Sequence, residues 1–207
     1  MADAARFWDR HAEGYAKRPV ADEAAYEHKL ALTRAWLGPE LKMLEIGCGT
    51  GTTALHHAPH VAHVRATDIS PGMIEIARRN ATAAGIANVS FELSDIDRLE
   101  PQDRAYDVVM AHSILHLLRN RDDAIAKVSR LLKPGGLFVS STPCLSGGHL
   151  GWLRFVLPPA RWLGLVPWVG FFTVETLIAE FERAGFVIEE QWQPGPAKAL
   201  FVIARKA

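Results

Sequence analysis

The sequence predicts an α/β fold: a mostly parallel sheet with helices on both faces and an antiparallel hairpin at one end. Two patterns lead there. Short apolar, β-branched runs alternate with helix-length amphipathic stretches, which is the spacing of βαβ crossovers. Near the C-terminus, FVIEEQW and KALFVIAR are separated only by Gln193, Pro194, Gly195, Pro196 and Ala197. That connection is too short for a helical crossover and long enough for a hairpin. A length of 207 residues with 49% hydrophobic content suits one large domain with a buried core and excludes a disordered chain.

Each element has its own signal. Residues 22–37 read as a helix with Tyr26, Leu30, Thr33 and Leu37 near one face and Asp22 as its N-cap. LKMLEI (41–46) is a buried strand stopped by glycines, followed by helical pattern at 52–58 and a strand at 61–67. In SPGMIEIARRNATAAGI, Ser70 suits an N-cap, Pro71 the first helical turn and Gly85 the C-terminal cap. Strands follow at 89–93 and 106–111, then a helix near 120–132, a stop at Lys133 to Gly136 and a fifth strand, LFVSST, at 137–142. A helix at 173–184 leads into the terminal hairpin.

Charge is balanced overall, 23 basic against 23 acidic side chains, which argues against a nucleic-acid binder. The balance conceals a segregation, because no acid lies between Asp123 and Glu175. Two cysteines exclude a disulfide framework, and the N-terminus MADAARFWDRHAEGYAKR lacks the apolar core of a secretory signal, so a cytoplasmic setting is expected. The stretch 150–172, LGWLRFVLPPARWLGLVPWVGFF, is apolar enough to invite a membrane-span reading. Arg154, Arg161, Pro158, Pro159 and Pro167 rule it out.

The chemistry concentrates at strand ends. Glu45, Gly47, Cys48, Gly49, Thr50 and Gly51 close the first strand in a G-x-G-x-G turn, where the backbone can approach a ligand. A dinucleotide fingerprint would need glycine at position 52, which is Thr52, and no Gly-Lys-Ser/Thr ending marks a phosphate-binding loop. A nicotinamide oxidoreductase is therefore disfavoured. Asp68 ends the second strand, where an acid accepts hydrogen bonds from a ribose diol, and Ser70 and Met73 border the same place. After the third strand, Asp95 could take an adenine amino proton while Ile96 covers a ring face. Glu45 could instead be a partner for a backbone N–H, and Asp68 or Asp95 a strand-end cap. Three acids at successive carboxyl ends, beside a glycine turn, point to a nucleoside site.

LEIGCGTG, Asp68, SDI (94–96), YDVVMAHSILHLL and LLKPGGLF together resemble the successive motifs of the class I S-adenosylmethionine-dependent methyltransferases, over about residues 41–142 and more weakly through FERAGF to the final hairpin. The resemblance implies a Rossmann-like doubly wound seven-stranded sheet of order 3-2-1-4-5-7-6 with strand 7 antiparallel. It implies one methyltransferase domain over 1–207: a lid at 1–37, a cofactor core at 38–142, a substrate cap at 143–172 and a terminal helix and hairpin at 173–207. By the same likeness Glu45 and the Gly47–Gly51 loop hold the methionine moiety of S-adenosylmethionine, Asp68 and Ile69 the ribose, and Asp95 and Ile96 the adenine. S-adenosylhomocysteine is the product. Phe7-Trp8-Asp9, Ala12 and Tyr15-Ala16 resemble the lid helix of small-molecule members, which would bring Tyr15 to the cofactor carboxylate; otherwise Phe7, Trp8 and Tyr15 form an apolar staple.

Methyl transfer is an in-line displacement that needs alignment, exclusion of water and sometimes a base. His112 and His116, after the fourth strand, are candidate bases poised near neutral pH, with Tyr15 as a further candidate catalytic group. His112 could also touch the cofactor through its backbone alone. An N/D-P-P-Y/F/W tetrad is absent, so base amino-methylation loses ground. His56, His57, His60 and His63 invite a metal reading, but Pro59 lies between the i, i+4 pair His56 and His60 and no acid or Cys completes a shell, so no metal is expected and a solvated helix end accounts for them. Cys144 reads as a packing residue. Trp152, Phe155, Trp162, Trp168, Phe171 and Phe172 could wall an acceptor pocket or dip into a bilayer with Arg154 and Arg161 at lipid phosphates. The expected acceptor is a hydrophobic small molecule: a phenol, quinone-like compound, thiol or lipid. A membrane phospholipid headgroup and a non-catalytic cofactor-binding partner protein remain alternatives.

Overall fold

A computed structural model of the chain describes residues 2–99, 105–146, 166–195 and 198–207. Its strands are β1 Lys42–Ile46, β2 His63–Asp68, β3 Val89–Leu93, β4 Tyr106–His112, β5 Leu132–Thr142, β6 Phe186–Trp192 and β7 Leu200–Lys206. They form one seven-stranded sheet of order β3-β2-β1-β4-β5-β7-β6. β1 runs parallel to β2 and β4, and β2 to β3, whereas β7 is antiparallel to β5 and β6. Met43, Leu44 and Ile46 are all buried, the continuous apolar run of a strand covered on both faces.

The helices are α1 Ala2–Ala16, α2 Glu23–Arg34, α3 Thr52–His57, α4 Pro71–Ala84, α5 Arg121–Leu131 and α6 Val174–Arg183. Asp22 accepts the Ala25 N–H and Ser70 the Met73 N–H, so both N-caps read from the sequence are present. Gly85 closes α4 in the left-handed conformation at φ 66°.

The chain departs from the sequence expectation in two places. The helix does end before Lys133, at Leu131, but the strand starts earlier than Leu137: β5 begins at Leu132, directly after α5, although only Leu137–Thr142 pair with β7. Within it Gly135 takes φ 74°, an irregularity that glycine permits, and Arg205 Nη1 donates to its carbonyl at 3.1 Å. The second departure follows α3. Ala58–His60 form a 3₁₀ turn containing Pro59, so His56 and His60 do not share a helix. His57 is fully buried rather than part of a solvated end, because α3 turns its Ala54 and His57 face inward.

The chain divides into two compact units, residues 1–100 with 106–110, and residues 101–105 with 111–207. The first holds a β-sheet core of Met43, Leu44, Val64, Ala66, Ala77 and Val108. In the second, Phe138 stacks on Phe181 at 4.9 Å and packs against Phe186. There the Arg121 guanidinium grips Glu180 with two hydrogen bonds, both 2.6 Å, and lies 3.6 Å over the Phe172 ring. Ser146 N–H donates to the Phe172 carbonyl at 3.1 Å, joining the chain on either side of residues 147–165.

Arg121 and Glu180 are 12% and 8% exposed, so removing one partner leaves a buried charge alone. Arg121→Met is expected to cost about 3–5 kcal/mol in chemical denaturation, and adding Glu180→Leu should recover most of that loss. An Arg121→Met variant as stable as wild type would show that the pair is not buried in solution.

Candidate functional site

The glycine turn between β1 and α3 is held open by backbone that only glycine adopts cheaply. Gly47, Gly49 and Gly51 have φ of 67°, 54° and 78°. At Gly51 a Cβ would stand 2.8 Å from the Phe91 ring and 2.9 Å from the Ala77 Cβ. The turn therefore sits directly against α4 and β3, where a side chain would have no room. Cys48 within it is buried, its N–H donating to the Thr67 carbonyl, and burial followed by the carboxyls of Glu45 and Asp68 pushes its thiol up.

Asp68, at the carboxyl end of β2, binds across to that turn. Its Oδ2 accepts the Gly49 N–H and its Oδ1 the Ser70 N–H, both at 2.9 Å. Burial raises its pKa, opposed by these two bonds and by one from Ile69. The Ile69 side chain is half-buried and Ser70 fully buried. Glu45, at the end of β1, is 2% exposed, and burial followed by the Asp68 charge raises its carboxyl to about 8, against a backbone hydrogen bond from Ala54. Its Oε2 has no hydrogen-bond partner among the described residues. A buried, unmatched carboxyl oxygen beside an open backbone turn is a ready receptor for a cationic or N–H-bearing ligand group.

Helix α1 packs on α4. Trp8 and Ala12 lie against Met73 and Ile76, so Met73 belongs to this seam. Asp9 Oδ1 accepts the Gly72 N–H at 2.7 Å and the Ser70 hydroxyl at 3.3 Å. Tyr15 meets Trp8 edge-on at 6.2 Å and is 45% exposed, with its Cε1 4.0 Å from where a Gly49 Cβ would stand. The staple and the site are thus combined: Trp8 packs, while Tyr15 remains open beside the glycine turn. In the sequence Asp9 stood only as part of the Phe7-Trp8-Asp9 lid motif, with no contact of its own assigned. Tyr26 was read only as a helix-face residue; its hydroxyl lies 3.4 Å from Thr53 Oγ1, and burial raises its pKa.

After β3, Asp95 Oδ1 accepts the Arg98 N–H at 2.9 Å, and Arg98 Nε approaches its other oxygen at 3.7 Å. Asp95 thus caps the following turn, and Ile96 is buried. Both belong to the first unit with Glu45, Gly47, Cys48, Gly49, Gly51, Asp68, Ile69, Ser70, Met73 and Tyr15.

His112 and His116 lie in the second unit. His112 ends β4 and stacks on Phe201 at 6.5 Å. Ser113, next in the chain, takes φ 55°, a left-handed conformation held by its N–H bond of 2.8 Å to the Ser141 carbonyl. An imidazole poised near neutral pH does not describe His116, because burial lowers its pKa to about 4. The His116 carbonyl instead accepts the Gly170 N–H at 2.7 Å. Arg119 lies 5.6 Å over the Trp168 ring, as Arg121 does over Phe172 at 3.6 Å. Residues 166–172 are thus fastened by two cation–π contacts and by two backbone hydrogen bonds, Gly170 to His116 and Ser146 to Phe172. Cys144 is half-buried, its thiol pushed up to about 11 by burial. Trp152, Arg154, Phe155, Arg161 and Trp162 lie outside the described residues.

Comparison with known proteins agrees with this geometry. A family model described as a methyltransferase domain matches residues 37–182. The aklanonic acid methyltransferase DauC of a Streptomyces species is 29% identical over 156 residues, 74% of this chain and 62% of that protein. A highly reducing polyketide synthase, NEC1 of Pyricularia oryzae, is 31% identical over 198 residues, 87% of this chain but 7% of its own length. The chain therefore spans less than two thirds of either relative. A solved S-adenosylmethionine-dependent methyltransferase from Mesorhizobium loti shares the fold, with a TM-score of 0.68 at 23% identity over 81% of this chain and 92% of that one. The matched model, the strand order and the glycine turn with its two strand-end carboxyls agree: the chain belongs to the class I S-adenosylmethionine-dependent methyltransferases.

Proposed function

We propose that this chain transfers the methyl group of S-adenosylmethionine to a hydrophobic small-molecule acceptor. The observation that carries the reading is the Asp68 carboxylate, locked by the Gly49 and Ser70 N–H groups, beside a buried Glu45 carboxyl with an unmatched oxygen. The residues fit the cofactor. Asp68 retains lone pairs for a ribose diol, and Glu45 with the Gly47–Gly51 backbone offers acceptors and N–H donors to an ammonium and a carboxylate. Tyr15, half exposed beside Gly49, stands at the same turn. Asp95 and Ile96 complete the assignment at the adenine, with the Asp95 carboxylate shared with its own turn.

The cofactor supplies an activated methyl on a sulfonium. What the chain adds is alignment and exclusion of water. Charge is neutralised during such a displacement, so no oxyanion receptor is required. A general base is not built into the reading either: His116, held near 4, is neutral at neutral pH but too weak to collect a proton efficiently. An acceptor that ionises easily, or a soft nucleophile, fits a site that works by proximity.

The apolar character of the acceptor is supported by residues 166–172, where Trp168 and Phe172 are fastened by Arg119 and Arg121. Two relatives support the same reading by name: an aklanonic acid methyltransferase and a highly reducing polyketide synthase. Residues 150–165, the rest of the apolar segment, immediately precede this anchored strap in the sequence.

Asp68→Ala should weaken S-adenosylhomocysteine binding by about 1.5–3 kcal/mol, read by calorimetry, because hydrogen bonds to a charged acceptor are lost. Unchanged affinity would displace the ribose from Asp68. Incubation with S-adenosylmethionine and a panel of polyketide-like phenols, thiols, amines and lipids should release S-adenosylhomocysteine with an apolar member. Tight binding with silence across the panel would favour a cofactor-binding partner protein.

Glu45 supplies a pH test. Its folded-state pKa of about 8 lies above the ordinary 4.5, so the folded chain holds this proton more tightly than the unfolded chain does. The associated stability is complete at low pH and is lost as pH rises through the folded value. Thermal melts of ligand-free wild type should therefore fall relative to Glu45→Gln between about pH 5 and about pH 8. A constant difference between the two proteins would mean that Glu45 is solvated.

A further inference from the structure

We propose that Asp9 is the positioning residue of the cofactor site: its carboxylate fastens α1 to the start of α4 and thereby holds Tyr15 against the glycine turn. This rests on the assignment of Asp68 and Tyr15 to S-adenosylmethionine. The hydrogen bonds around Ser70 carry it. The first turn of a helix leaves backbone N–H groups without intrahelical partners. In α4 the first position is Pro71, which has no N–H, and the next two donors are Gly72 and Met73. Ser70 Oγ satisfies Met73, and Gly72 is satisfied from outside the helix, by Asp9 Oδ1 at 2.7 Å. The helix dipole favours an anion at that position, and α4 is long enough to present one.

Ser70 is the hinge between the two carboxylates. Its hydroxyl donates to Asp9 at 3.3 Å, while its backbone N–H donates to Asp68 Oδ1 at 2.9 Å. A shift of α1 therefore reaches the residue that orders Asp68. The approach is close enough that a side chain at position 72 would push the Asp9 carboxylate off its bond. A Cβ there would meet Asp9 Oδ1 at 2.9 Å and the Ala12 Cβ at 3.3 Å. Below this contact, Trp8 and Ala12 continue the seam on Met73 and Ile76. Further along α1, Tyr15 comes to 4.0 Å from the Gly49 Cβ position. The other polar contact of the pair, Arg79 with Glu13 at 2.8 Å, is solvent-exposed, and surface ion pairs of this kind contribute little.

The two close-contact residues allow the latch to be broken from either side. S-adenosylhomocysteine is the probe, with its affinity measured by calorimetry and its dissociation rate by stopped-flow fluorescence on the full chain. Amide exchange over residues 2–16 reports the docking of α1 directly. Asp9→Ala and Gly72→Ala should each speed dissociation by about tenfold or more and raise exchange in α1. Asp9→Asn, which keeps an acceptor at Oδ1, should stay within about threefold of wild type, and Glu13→Gln should leave the rate unchanged. A merely structural role would lower the melting temperature without changing the dissociation rate or discriminating Asn from Ala. If Asp9→Ala fails to fold, Gly72→Ala and Asp9→Asn carry the same comparison. Wild-type dissociation rates in Asp9→Ala and Gly72→Ala overturn the latch alone. Failure of the wild-type chain to bind S-adenosylhomocysteine overturns the cofactor assignment on which it rests.

Discussion

A single carboxylate organises the first half of this protein. Asp68 ends β2, and its two oxygens are bound by N–H groups from two different turns, Gly49 after β1 and Ser70 before α4. Each bond goes to a charged acceptor in a buried place, where such bonds are stronger than neutral ones. The cost is desolvation, and it outweighs the bonds enough to raise the Asp68 pKa. The group is therefore held in position while keeping part of its acceptor capacity, which is the state a ligand-binding carboxylate needs. The glycine turn could not close on it with any other residue at Gly51, because Phe91 and Ala77 occupy the space of a Cβ. The start of α4 and its contact with Asp9 follow from the same Ser70.

The two units use different chemistry. In the first, the groups available to a ligand are carboxyls and backbone N–H donors on a tight turn. In the second, aromatic rings are held by guanidinium groups, Trp168 by Arg119 and Phe172 by Arg121. Arg121, just before the acid-free stretch, is itself compensated, because Glu180 reaches it from α6 with two short hydrogen bonds. The same guanidinium lies 3.6 Å over the Phe172 ring, so one side chain ties α6 to that ring, and removing either charge would strand the other in a buried place.

Much of this was legible in the residues themselves. Ser70-Pro71 and Gly85 marked both ends of α4 because capping chemistry is local. The hairpin of β6 and β7 followed from the shortness of its connection. The strand-end acids were visible because parallel strands send their carboxyl ends to one edge. The failures were equally physical. Lys133 to Gly136 looked like a stop, since Pro and Gly punctuate most elements, yet β5 begins before them, at Leu132. His57 looked solvated, and only the inward face of α3 buries it. His116 carried the reactivity of a free imidazole in the sequence, whereas its environment in the fold lowers its pKa.

What the sequence determined by itself was the order of elements, the glycine turn and the identity of the acids at the strand ends. These depend on backbone preference and periodicity, both readable within a short window. The tertiary structure decided which groups share a hydrogen bond across distant positions. Asp9 meets Gly72, Arg121 meets Glu180, and Glu45 keeps an oxygen with no partner among the described residues. A carboxyl's protonation, a histidine's basicity and a helix's attachment all depend on what lies within a few ångströms of them. Burial and neighbouring charge set these properties, and both arise only when the chain has folded.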